Sequence, residues 1–78
     1  MTTLRDDVLD EIASIYNNAL RDGYVNDDDI CDELGDYFDD VECSNDATLK
    51  QAYALARSAQ EDDDALAKLK QAIDMLQA

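Results

Sequence analysis

Asp28, Asp32, Asp36 and Asp39 recur every three or four residues along the stretch NDDDICDELGDYFDD (residues 26–40), with Asp29, Glu33 and Asp40 beside them. On a helix, carboxylates at that spacing share one face, rising about 6 Å along the axis for each four-residue step. Such a row can do three kinds of chemistry. It can coordinate a cation through oxygen, exchange protons as paired acids, or accept charge-assisted hydrogen bonds from lysine and arginine.

Calcium coordination needs a loop that the sequence does not supply. A twelve-residue EF-hand loop ending at Glu33 would begin at Asp22 but put Tyr24 at its third position and Asp27 where glycine belongs. Proton exchange fares no better. There is no histidine, and Ser14, Ser44 and Ser58 have no base to activate them. A bundle of this size also offers acids such as Asp39 and Asp40 little cleft in which to shift their pKa values. The sequence therefore reads as a non-enzyme, with no catalytic residue, no metal site and no cofactor. In size and charge the chain resembles the acyl carrier proteins, small acidic four-helix bundles that hold a phosphopantetheine arm on serine in an Asp-Ser-Leu context. Ser44 lies in ECSND and is followed by Asn45, so the resemblance stops short of that motif.

What must position the row is an all-α fold. The 78 residues include no proline and only two glycines, Gly23 and Gly35. A single domain spanning 1–78 is expected, a compact antiparallel four-helix bundle with helices at about 3–21, 27–42, 46–59 and 62–77. The first helix buries Leu4, Val8, Ile12, Ile15, Tyr16, Ala19 and Leu20; Thr2 or Thr3 caps it and Gly23 follows its end. The second starts at Asn26 and places Ile30, Cys31, Leu34, Tyr37, Phe38 and Val41 on one face. Its apolar phase runs through Gly35 without slipping, which favours one continuous helix, bent at Gly35 if anywhere. Ser44, Asn45 or Asp46 caps the third, with Leu49, Ala52, Tyr53 and Ala56 inside. The fourth buries Leu66, Leu69, Ala72, Ile73 and Leu76.

The charge is heavily one-sided: 20 acids against 6 bases, a net charge of −14. Between Arg21 and Lys50 there is no base at all. Capping of helix starts accounts for Asp27, Asp28 and Asp29, and for Asp62, Asp63 and Asp64, because negative charge complements the helix dipole there. It does not account for Asp36, Asp39, Asp40 and Glu42, which lie towards the far end of the same helix. Solubility alone would be served by glutamate, the better helix former, yet aspartate dominates. A salt-loving source would explain an acidic surface, but one spread over every exposed face.

Disorder is opposed by the periodic arrangement of the apolar 46%. No apolar run approaches the roughly 20 residues that span a bilayer, and MTTLRDDVLDE lacks the pattern of a signal peptide. A cytoplasmic protein with reduced thiols at Cys31 and Cys43 is expected, with Cys31 packed beside Leu34 and Phe38.

Such a charge repels nucleic acids and anionic membranes and attracts basic proteins. The implied partner is a basic nucleic-acid-binding protein or effector complex, engaged by a monomer or homodimer. To a groove lined with lysine and arginine, a rigid row of carboxylates resembles a phosphate backbone. The residues expected to carry this are Asp28, Asp29, Asp32, Glu33, Asp36, Asp39 and Asp40, with Tyr24 as an aromatic anchor. The concrete expectation is an inhibitor of host defence encoded by a phage or mobile element, of the anti-CRISPR or anti-restriction type and acting in the host-cell cytoplasm. The alternatives are a helical interaction module or regulator that does not mimic nucleic acid, and a halophile protein with a generic acidic surface.

Overall fold

The computed structural model describes residues 3–59 and 64–77. Among them the chain is helical throughout, with no strand: α1 (Leu4–Asp22), α2 (Asp27–Asp29) running directly into a π-helical turn (Ile30–Leu34), then α3 (Phe38–Glu42), α4 (Ala47–Ser58) and α5 (Ala65–Gln77). The result is a small all-α bundle, as the periodicity requires.

Local chemistry sets the helix ends. Thr3 accepts the Asp6 N–H at 3.2 Å and opens α1, and Gly23, at φ 86°, closes it with its N–H on the Ala19 carbonyl at 2.8 Å. A left-handed residue at that place is cheap only for glycine. Asn26 accepts the Asp28 N–H at 2.9 Å, and Asp46 accepts that of Leu49 at 3.0 Å to cap α4. The Asp64 carbonyl takes the Lys68 N–H at 3.0 Å; Asp62 and Asp63, expected in the same cap, lie outside the described residues.

One contiguous core holds the helices. Val8, Ile12 and Ile15 of α1, Ile30, Leu34 and Val41 of the second segment, Leu49, Ala52, Tyr53 and Ala56 of α4, and Leu69, Ala72 and Leu76 of α5 are all buried in it. Apart from the Tyr53 phenol, no polar or charged side chain is buried among the described residues. Fully burying a side chain such as Ile12 or Leu34 stabilises by roughly 1.5–3 kcal/mol. Arg5 fixes the layout at one end. Its Nε and Nη2 donate to the carbonyls of Leu76 and Met75 at 3.2 and 3.3 Å, and its Nη1 lies 3.5 Å from the Asp46 carboxylate. The starts of α1 and α4 and the end of α5 therefore meet, so α5 runs back alongside the other two.

The second helix is where the sequence expectation fails. It is not one helix over 27–42: after the π-helical turn the chain breaks at Asp36 and Tyr37 and restarts as α3. Gly35 does not make the break, since it keeps helical angles (φ −59°, ψ −33°) and Tyr37 is the residue that leaves them (φ −99°, ψ 1°). The carbonyl of Leu34 is taken instead by the Tyr37 N–H at 3.1 Å and by the buried hydroxyl of Tyr53 on α4. Three residues placed inside by periodicity are outside. Cys31 is exposed, as is Cys43, and Phe38 and Leu20 remain 46% and 55% accessible. A π-helical turn spans five residues per hydrogen bond rather than four, which turns the positions around it off the α-helical stripe. Leu20 sits in the last turn of α1, where Ala19 alone faces the core.

Candidate functional site

Asn26 caps a start at which three consecutive aspartates complement the helix dipole. From there Ile30 and Leu34 are drawn into the core and turn their neighbours outward. Asp28, Asp32, Glu33, Asp36, Asp39 and Asp40 are all exposed, and Asp29 is half-buried. The surface comes in two pieces. Asp28, Asp29, Asp32 and Glu33 ride on α2 and the π-helical turn, Asp36 lies in the break, and Asp39 and Asp40 belong to α3. The even row expected of a single helix is thus an interrupted, two-segment display.

None of its aspartates is neutralised. Arg5 pairs with Asp46 and Arg21 with Asp22, and no ion pair reaches Asp28, Asp32, Asp36, Asp39 or Asp40 among the described residues. The guanidinium beside Phe38 is engaged by aromatic groups. Arg57 of α4 stacks 5.5 Å from the centre of the Phe38 ring and 5.8 Å from that of Tyr53, and it donates to the Tyr53 hydroxyl at 3.3 Å. Tyr24 is 62% accessible beside Gly23, so packing beneath the first loop does not account for it.

The structure adds residues to this face that the sequence reading missed. α1 packs on the π-helical turn and brings Asp7, Asp10 and Glu11 to Glu33, Asp36 and Tyr37. The Glu33 carboxyl comes against Glu11 and favours the protonated form of Glu11. That contact, then burial and the surrounding charges of Glu33, Asp10 and Asp36, raise Glu11 from an ordinary glutamate value to about 7. Burial, followed by Glu11, Asp7, Asp36 and Glu33, pushes the Tyr37 hydroxyl up as well. The signal was present in the sequence: Asp7 and Glu11 border the buried Val8 and Ile12, so they must face the rim of a neighbouring helix. No base between Arg21 and Lys50 is there to meet them.

A carboxyl near 7 is suited to general acid–base catalysis. Here the neighbouring Glu33 carboxyl, burial and the surrounding acids Asp10 and Asp36 are the causes of the shift. Among the described residues no group of three or more His, Cys, Asp or Glu side chains is arranged to hold a metal ion. Nor is any helix among them long and apolar enough to cross a membrane. No protein-family model matches the chain, and neither does any curated protein or solved structure, so the acidic face itself must carry the functional reading.

Proposed function

We propose that the protein binds and inhibits a nucleic-acid-binding protein by presenting its acidic face in place of a phosphate backbone. The observation that carries this reading is the set of exposed aspartates at 28, 32, 36, 39 and 40 that no base neutralises. Keeping like charges together without counter-charges costs stability, by roughly 0.2–0.5 kcal/mol per i, i+4 pair. A basic groove that releases its own nucleic acid recovers that cost by pairing with the carboxylates. The acidic segments flank a π-helical turn, and such turns often occur at functional sites. A phage or mobile element that must disarm a host nuclease is the setting in which such an inhibitor is most useful, which points to anti-CRISPR or anti-restriction targets.

The test is capture from a bacterial lysate on the immobilised protein, elution by salt, and competition with duplex DNA and with RNA. A captured nucleic-acid-binding protein that is displaced by nucleic acid supports the reading. A partner that holds this protein and its nucleic acid together overturns it. A second reading has its own support: Leu20, Tyr24 and Phe38 are exposed apolar side chains, which would suit an adaptor that docks without competing for nucleic acid.

A further inference from the structure

We propose that Arg57 and Tyr53 of α4 form a latch that holds the second segment in its interrupted form, against a continuous helix over 27–42. The choice turns on one carbonyl. In an unbroken helix Leu34 would accept the Phe38 N–H. Here the Tyr37 N–H at 3.1 Å and the Tyr53 hydroxyl take its two lone pairs, and none is left for Phe38. Arg57 Nη1 in turn donates to the Tyr53 oxygen at 3.3 Å. A hydroxyl that accepts from a cation is a stronger donor, so the guanidinium tightens the bond from Tyr53 to Leu34.

The same guanidinium holds Phe38. Four residues after the buried Leu34, Phe38 would lie on the inner face of a continuous helix. The break leaves it 46% accessible instead, with Arg57 5.5 Å from its ring centre. α3 is five residues long, too short to be helical unaided, and Val41 is its one buried residue. α4 packs on both the π-helical turn and α3, so a single side chain reaches both pieces. Among the described residues Arg57 makes no ion pair. Its charge is engaged by the rings of Phe38 and Tyr53.

Apolar burial does not select the interrupted form. Ile30, Leu34 and Val41 are buried in it, and their spacing would bury them in a continuous helix as well. Phe38 would be better covered in the continuous form, which favours that form further. The polar and aromatic contacts of Tyr53 and Arg57 offset this difference. The latch bears on partner binding only through the reading above, because it sets where Asp39 and Asp40 of α3 stand relative to Asp28 and Asp32.

NMR of the isolated protein and its Arg57→Met variant tests the latch. Methionine keeps an apolar stem but removes the donor and the charge, at a half-buried position outside the core cluster. The coupling across the hydrogen bond should move from Tyr37 N and Leu34 C′ to Phe38 N and Leu34 C′. The Cα shifts of Asp36 and Tyr37 should move to helical values, while those of α1 and α5 stay as in the wild type. Tyr53→Phe, which removes the hydroxyl alone, should move the same signals in the same direction. Arg57→Lys should stay close to the wild type, because an ammonium can also donate to Tyr53 and lie over Phe38. Retention of the Tyr37–Leu34 coupling in both Arg57→Met and Tyr53→Phe overturns the latch. So does a move of Asp36 and Tyr37 to coil values, which would mean that α3 is loosened rather than converted. Because no partner is used, either outcome leaves the inhibitor reading to be judged by capture alone.

Discussion

The Tyr53 hydroxyl of α4 donates its hydrogen bond to the Leu34 carbonyl, at the point where the second helix gives up its regular pairing. That carbonyl would serve Phe38 N–H in an unbroken helix; here it accepts from Tyr37 N–H and from Tyr53. Tyr53→Phe keeps the ring in the core but leaves the carbonyl with one partner, and it removes the acceptor of Arg57. Urea unfolding should show a loss of about 0.5–1.5 kcal/mol. An unchanged midpoint would mean that the break is held by packing alone.

Arg5 ties the end of α5 to the start of α4 through two carbonyls and one carboxylate. A positive charge at a helix C-terminus is favourable, and the guanidinium fork meets three acceptors at once. The side chain is one-third accessible, so screening reduces its worth. Arg5→Gln should cost about 1–2 kcal/mol, and Arg5→Lys should recover less than half of that because an ammonium cannot span the same acceptors. Full recovery by lysine would reduce the role of Arg5 to its charge.

The bundle was legible from sequence because α1, α4 and α5 each keep one apolar stripe, and α1 and α4 carry recognisable caps. Thr3, Asn26, Asp46 and Gly23 all act at the helix ends where their chemistry puts them. The second helix was not legible, because Ile30, Leu34 and Val41 stay buried on either side of the break and so preserve the phase of a continuous helix. The missing clue was Tyr53: a phenol in an otherwise apolar stripe needs an acceptor, and an interrupted neighbour provides one. The carboxyl cluster at Glu11 escaped for a related reason. It joins two helices, and helical periodicity within each says nothing about which rims meet.

The two glycines should respond in opposite directions. Gly35 has helical angles and nothing within 4 Å of where a Cβ would stand. Gly35→Ala should therefore stabilise by about 0.5–1 kcal/mol through helix propensity. Gly23 sits at φ +86°, where a side chain is strained whatever the space, and Gly23→Ala should cost roughly 1–2 kcal/mol. Thermal melts of the two variants check the pair; destabilisation by Gly35→Ala would show that the π-helical turn needs the glycine.

Both cysteines are free and exposed. Two equivalents of a thiol reagent should react with the native protein at rates close to those of the denatured chain. Slow labelling of Cys31 would restore the inner-face position expected from its spacing with Leu34.

The last prediction concerns the acidic face. Replacing Asp28, Asp32, Asp36 and Asp39 with asparagine removes four negative charges from exposed positions while nearly conserving volume. Because the break separates Asp36 and Asp39 from the first two, only the Asp28–Asp32 repulsion is relieved at regular helical spacing, so stability should hold or rise by no more than about 0.5 kcal/mol. Binding to a captured basic partner should weaken mainly through slower association, with a shallower dependence on ionic strength than the wild type shows. Neutralising Asp62, Asp63 and Asp64, the other acidic run of the sequence, serves as the control. If the control abolishes capture while the four-residue variant binds as before, the binding surface is not the face built by α2, the π-helical turn and α3.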